Sequence, residues 1–506
     1  MTKKEKEKTI KELLKICNKN IFSIRNTFYE LLKNKETSKA SEFLTIFLES
    51  INNIYTIKND TKLEVWIYQD GIYIPNGISE LKKQLRNILG SGYTVNIYSS
   101  ILDKIYADTM IESKKFFNSV HSKENAHLLP VQNGILNLIT KKLESFSPKY
   151  IFLNKLQVNY NPKAKCPNIE KHLNNVLATK DDSIVMFEII GFCLWKDYFI
   201  EKAFLFNGDG RNGKSKTIEL IKSLIGHENC CAIPLSELTK ESDFSISELF
   251  GKMVNLAGDL SNVSLKNTGG FKMSVGRDTI GANRKFLPKI HFINYAKNIF
   301  ACNELPKVYD NSIGFWERWV VLDFPNTFKE ESEYNKIQKG NDEELKKKTK
   351  KMNPDIIATL IQKEELEGLL IKSIEGLDRL LKQKAFSYSI GSDEIKKNWT
   401  RKADSFLAFC QDNIEAGDIS IDKILKANLR KYYFKYCKDN KLKGSSDINI
   451  KITLEEYYGV SEIRNHQQET FWGGIKIKED SQFNKLEIEW NKNRNSTQER
   501  QKLFKD

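Results

Sequence analysis

Ala203-Phe-Leu-Phe-Asn-Gly208-Asp209-Gly210-Arg211-Asn212-Gly213-Lys214-Ser215, continued by Lys216-Thr-Ile-Glu-Leu-Ile-Lys-Ser-Leu-Ile225-Gly226, is the stretch from which the rest of the chain can be read. Gly208, Gly213, Lys214 and Ser215 satisfy the pattern G-x-x-x-x-G-K-[ST]. In it a glycine-rich turn bares backbone N–H groups toward phosphates, the lysine meets the β/γ oxygens and the hydroxyl takes Mg²⁺. The flanks agree with the motif. Ala203 to Phe206 is an apolar run suited to a buried strand, and Ile218, Ile221, Leu224 and Ile225 recur at helical spacing until Gly226 ends the helix. An ordinary glycine-rich turn with an exposed lysine would not need that strand-loop-helix setting.

The 506 residues are too many for one core and imply about three or four domains. Hydrophobic content of 40% and charged content of 29% are those of a globular protein, and the net charge of +14 points weakly to a polyanionic partner such as nucleic acid. The eight cysteines form no C-x-x-C pair, so reduced thiols in a cytoplasm-like compartment are expected. Neither an apolar signal region nor a run of about 18 apolar residues occurs, which argues against export and membrane spanning.

Downstream of the glycine-rich turn, Lys252-Met-Val-Asn-Leu-Ala-Gly-Asp259 reads as a strand ending in an acid, 45 residues after Lys214. That interval leaves room for the helix and crossover a parallel sheet needs, and a carboxylate on a neighbouring strand can hold the metal opposite the loop hydroxyl. Ala296 to Asn303 is another buried strand, ending in an amide able to sense a γ-phosphate; a turn residue before Leu305-Pro306 is the simpler alternative. Between them, residues 271–289 are basic and turn-rich and look like an exposed loop or hairpin carrying Arg284, Lys285 and Lys289. Asp310, Phe315, Trp316 and Arg318 precede a last strand over Trp319 to Phe324.

Taken together, GDGRNGKS, GKMVNLAGDL, FKMSVGRDTIGANRKF, AKNIFACNELP and GFWERWVVLDFP resemble the superfamily 3 helicases, within them the phage, plasmid and poxvirus primase-helicase type. The likeness covers roughly residues 125 to 440. It implies a multidomain α/β protein with an AAA+-like P-loop ATPase core on a parallel sheet, forming a homo-hexameric ring that uses ATP and Mg²⁺ to move along single-stranded or forked DNA, usually 3′ to 5′. By the same resemblance residues 208–216 (Gly208, Asp209, Gly210, Arg211, Asn212, Gly213, Lys214, Ser215, Lys216) would cradle the nucleotide. Ser215 and Asp259 would hold the metal, and Asn303 would be the sensor. Arg318 would reach a neighbouring subunit's site, unless a salt bridge to Asp310 or Glu317 occupies it. Arg284, Lys285 and Lys289 would grip strand phosphates.

One departure is visible: many members end the metal-binding strand in two adjacent acids, whereas this chain has Gly258-Asp259-Leu260. Asp259 then does both jobs, or Glu304 or another residue supplies the base. The expected divisions are an α/β N-terminal domain over 1–124, a small pre-helicase domain over 125–199 and the ATPase core over 200–330. A charged connector with helices follows over 331–400, and a mainly helical, winged-helix-like domain over 401–506, able to contact origin DNA. Phe471-Trp-Gly-Gly-Ile-Lys-Ile-Lys looks like a wing-like hairpin, and Tyr432, Tyr433, Phe434 and Tyr436 mix with Arg430, Lys431, Lys435 and Lys438 on either a DNA-contacting face or an aromatic core under a basic surface. The first 125 residues lack the compact carboxylate cluster a primase needs, so a helicase working with a separate primase is expected, in replication or its initiation for a virus, plasmid or mobile element. Two alternatives share these motifs: a DNA motor or loader that does not unwind, and a DNA-binding ring whose nucleotide site is structural.

Overall fold

The computed structural model describes residues 12, 20–58, 63–120, 123–239, 243–258, 264–284, 287–310, 312–440, 442, 444–465 and 468–492. Two of the residues singled out above, Asp259 and Lys285, lie outside the described residues.

The central element is a five-stranded, wholly parallel sheet of β1 (Ala203–Asn207), β2 (Cys230–Cys231), β3 (Val254–Ala257), β4 (Lys297–Cys302) and β5 (Trp319–Asp323), in spatial order 5-1-4-3-2. Every residue of β1, β3 and β4 is buried. Parallel strands covered on both faces read as unbroken apolar runs, and β1 was recognisable in sequence for that reason. Helix α1 (Lys214–Ile225) follows β1 and buries Thr217, Leu220, Ile221, Leu224 and Ile225.

Two helices ahead of the sheet, Pro167–Val176 and Lys180–Leu194, and one after it, Lys363–Gln383, complete this core. The second and third pack closely because glycines face backbone there: a Cβ at Gly191 would meet the Ser373 carbonyl at 2.2 Å, and one at Gly376 the Phe187 carbonyl at 2.4 Å. Buried Glu188 accepts from Arg379 Nε at 3.0 Å and from the Ser387 amide and hydroxyl at 2.8 and 2.7 Å, which meets its need for partners away from water. The charge-dense run after residue 329 forms two short exposed helices, enclosed by a parallel pairing of Thr327–Lys329 with Thr349–Lys351.

At the N-terminal side a four-stranded sheet packs under helices around Phe28, Phe43, Phe47 and Leu85. A hairpin turns at Asp70-Gly71, Glu64–Gln69 against Ile72–Ile74, with both turn residues at positive φ (47° and 96°), the twist that suits a two-residue hairpin. A second hairpin pairs Leu128–Val131 with Gly134–Asn137.

The C-terminal module, with its own core around Phe409, Tyr433 and Trp472, holds helices Ser405–Asn413, Lys426–Asp439 and Asp447–Tyr458. Here one expectation is corrected. Residues 471–478 are not a hairpin: Thr470–Gly473 pairs with Ser461–Arg464 and Lys423–Leu425, while Ile475–Ile477 pairs with Ile414–Ala416. Gly474, at φ 91°, kinks the chain from one sheet into the other; the double glycine marks a change of partner and not a reversal. Among the described residues no helix is long and apolar enough to cross a membrane.

Candidate nucleotide-binding site

In an open parallel sheet, ligands bind outside the carboxyl ends of the strands. Here the adjacent strands β1, β4 and β3 are followed by Gly208, Asn303 and Gly258 respectively. Gly208 begins the loop because nothing larger fits: a Cβ there would meet Asn212 Nδ2 at 2.0 Å and the Phe324 carbonyl at 2.7 Å. Gly210 (φ 98°), Arg211 (φ 49°) and Gly213 (φ 91°) take left-handed backbone, which curls the loop around its amides. Among the described residues, the amides of Asp209 through Gly213 meet no acceptor. They lie at the N-terminus of α1, where the helix dipole adds positive potential.

Lys214 is only 4% exposed. Its ammonium donates to the Gly208 carbonyl (2.7 Å), Asn212 Oδ1 (2.9 Å) and Asn303 Oδ1 (3.0 Å), so the loop lysine and the amide after β4, 89 residues apart in sequence, meet. Asn212 also donates to the Phe324 carbonyl at 3.2 Å, tying the loop to the end of β5. Ser215 and Asp209 are exposed beside them, while Lys216 is engaged with Glu219 on the helix surface at 3.0 Å. Glu304, next to Asn303, is exposed.

The loop is braced from behind by residues that sequence reasoning did not single out. A Cβ at Gly213 would meet Val176 Cγ1 at 2.6 Å, and the Phe328 amide donates to the Arg211 carbonyl at 2.7 Å. His172 Nε2 lies 3.3 Å from Thr217 Oγ1, whose hydroxyl donates to the Gly213 carbonyl at 3.1 Å. Burial pulls the His172 pKa down to about 4, so the imidazole is neutral. Which element the helix Pro167–Val176 covers depends on long-range packing that no short window of sequence carries.

Arg318 is elsewhere. It precedes β5, and its carbonyl accepts from the Ala203 amide at 2.6 Å, which puts it beside the start of β1. Five residues of strand, about 16 Å, separate that edge from the glycine-rich loop. Its guanidinium donates to Glu201 at 2.7 Å and to the Gly314 carbonyl, and among the described residues its Nε is buried without an acceptor. Neither partner weighed from the sequence holds it: Asp310 pairs with Lys272 at 2.8 Å, and the carboxylate that meets the guanidinium is that of Glu201, not Glu317. Arg318 and Glu201 line a surface cleft of about 450 Å³ together with Trp316 and Ile395.

The basic segment is a hairpin, Thr279–Arg284 against Leu287–Ile293, with a bulge near its tip. Arg284 is not open to solvent. It makes a two-pronged ion pair with Glu64 (3.2 Å each) and lies over the Phe117 ring at 5.7 Å. Both partners come from the N-terminal region, and the side chains are 14% and 10% exposed. Lys289 is exposed on the second strand.

Residues 206–318 match a family of unknown function (DUF5906), and residues 58–178 match the family described as D5 N terminal like. A protein of Acanthamoeba polyphaga mimivirus, named "Putative helicase", is 27% identical over 333 residues, or 63% of this chain; the chain spans only 32% of that relative's length. Among solved structures, the apo C-terminal region of NrS-1 aligns over 85% of this chain and 98% of its own, at 13% identity and a TM-score of 0.44. An inhibitor-bound JCV helicase aligns over 46% of this chain and 63% of its own, at 14% identity and a TM-score of 0.24. The chain is thus similar in sequence to a viral protein named as a helicase, with a D5-like segment directly before the sheet that carries the glycine-rich loop.

Proposed function

We propose that this chain is an ATP-driven DNA helicase of the superfamily 3 kind, ring-forming and moving 3′ to 5′, that serves replication of a virus, plasmid or mobile element. The observation that carries this reading is the meeting of Lys214 with Gly208, Asn212 and Asn303 at the carboxyl edge of the parallel sheet. In an AAA+-like P-loop ATPase the loop amides and Lys214 hold the phosphates, and Ser215 with Asp259 holds Mg²⁺. The residues present fit that load: a left-handed, glycine-curled loop with five amides turned to no acceptor among the described residues is a cradle for anionic oxygens.

Arg318 cannot reach its own loop from the opposite edge of the sheet, so its role is to complete the site of an adjoining copy, exchanging Glu201 for a γ-phosphate. Its buried, unpartnered Nε among the described residues and the adjoining cleft support that assignment. ATP bound between subunits then couples hydrolysis to subunit motion, and the hairpin of residues 279–293 carries the motion to a DNA strand, with Lys285 and Lys289 as its cations and Arg284 as its anchor on the N-terminal region.

A labelled forked duplex tests the reading. Strand release that requires ATP and Mg²⁺ supports it. Movement along DNA without release would make the protein a motor or loader, and hydrolysis indifferent to DNA would leave a structural ring.

A further inference from the structure

The C-terminal helix Lys426–Asp439 mixes aromatic and basic residues, and the structure sorts them. Tyr432, Tyr433 and Tyr436 are buried in the core of the module, with hydroxyl partners of their own: Glu487 for Tyr432 (2.8 Å), Ser405 for Tyr433 (2.6 Å) and Asp412 for Tyr436 (2.7 Å). Phe434 is turned the other way and is 48% exposed. Arg430, Lys431 and Lys438 stand three or four residues from it on the same face, and exposed Lys435 flanks them, four residues after Lys431 and three before Lys438. Arg430 lies over the Phe434 ring at 5.6 Å and makes a solvent-exposed pair with Asp447 at 3.1 Å. Among the described residues Lys431, Lys435 and Lys438 have no acidic partner. Beside the ring opens a cleft of about 490 Å³, lined by Leu429, Ile450 and Trp472 as well as Phe434, Lys426 and Arg430.

The next helix, Asp447–Tyr458, is the one that a helix-turn-helix module would lay in a DNA groove. It is ill suited to that: Asp447, Glu455 and Glu456 stand against Lys451 alone, and Ile448 is 72% exposed. Positive potential and the open aromatic ring are both on the preceding helix instead. A duplex keeps its base faces stacked and would offer that ring only backbone, whereas a single strand presents π-faces to stack and phosphates to neutralise.

We propose that the exposed face of helix Lys426–Asp439 is a binding site for single-stranded DNA, in which Phe434 stacks on a base at the mouth of the cleft and Arg430, Lys431, Lys435 and Lys438 meet the flanking phosphates. The site deepens the DNA-acting role proposed above and rests on it for the identity of the polymer, but not on nucleotide hydrolysis. Within the moving assembly it would hold a strand outside the ATPase sheet.

Fluorescence anisotropy on the full chain with labelled oligothymidylate, and separately with a blunt duplex, tests it. Phe434→Ala should weaken single-strand binding about tenfold and Phe434→Trp should retain it, with duplex binding unchanged. Lys431→Ala combined with Lys435→Ala should reduce the slope of log affinity against log salt by about 1.4, the loss of two single-strand phosphate contacts. Photocrosslinking an iodouridine-substituted strand should label the peptide containing Phe434, in wild type and in Lys214→Ala alike. Unchanged single-strand affinity in Phe434→Ala, equal loss for strand and duplex, adducts confined to other regions, or displacement of the strand by polyglutamate as readily as by unlabelled DNA would each overturn the proposal. If instead the wild type binds and crosslinks as described but hydrolyses no ATP, the motor reading fails while this site stands.

Discussion

The two edges of the central sheet are built on opposite terms. At the carboxyl edge the polar side chains close on one another within one chain: Lys214 and Asn212 of the loop and Asn303 after β4 meet at 2.9 to 3.0 Å. At the amino edge Arg318 is held by a half-exposed glutamate and a carbonyl, with a buried Nε left over, beside an open cleft. The first edge is organised before any ligand arrives. The second keeps a strong cation in a replaceable pair, which suits a group meant to change partners, because a pair exposed to water contributes only about 1 kcal/mol or less.

The largest expected effect falls on the closed edge. Lys214→Ala removes the cation proposed to face the phosphates, and both nucleotide affinity and hydrolysis should fall to background in equilibrium binding and phosphate-release assays. If the variant still turned over ATP, the lysine's contacts with Asn212 and Asn303 would be only structural. On the other edge, Arg318→Ala should keep nucleotide affinity while turnover falls by about 10³ to 10⁵. Equal loss of binding would erase the contrast between the edges.

A smaller effect separates them by pH. His172 braces α1 from behind, and its folded pKa of about 4 lies below the ordinary 6.5. The unfolded chain therefore takes up a proton that the folded one refuses, and this contribution to stability is full above about pH 6.5 and is lost as pH falls toward 4. Order-of-magnitude linkage makes it about 3 kcal/mol. Melting curves across that window should show wild type losing more stability than His172→Gln, with identical losses arguing that burial does not hold the ring neutral. The smallest effect belongs to Glu201→Gln, which loosens the resting hold on Arg318. Turnover should change only a few-fold and in the upward direction, since exposed pairs are weak; a collapse comparable to Arg318→Ala would mean that Glu201 positions the guanidinium instead of parking it.

Much of the closed edge was legible because its pieces are local. An apolar run, a glycine-rich turn and a helical repeat follow one another over residues 203–226, and the observed strand and helix fall there. The runs before Gly258 and Asn303 were readable for the same reason. What brings Asn303 to Lys214 is strand order, which depends on long-range packing that no short window carries. The partner of Arg318 was missed likewise: Asp310 and Glu317 are nearer in sequence, but strand pairing sets Glu201 beside it. On helix Lys426–Asp439 an aromatic-basic mixture fits a core or a surface equally well by composition, and only the helix's orientation on its module separates Phe434 from the tyrosines. The glycines at 473 and 474 suggested a turn, and the sheet they serve uses them to change partners.

Mixing two dead variants tests the split site most directly. Lys214→Ala keeps a working Arg318, and Arg318→Ala keeps a working loop, so a junction between them rebuilds one intact site. Equal amounts, exchanged to random assembly, should recover about a quarter of wild-type hydrolysis, because one junction in four then pairs an intact loop with an intact arginine. No recovery in assemblies shown by mass to contain both chains, or full-rate hydrolysis by an isolated monomer, would contradict the account.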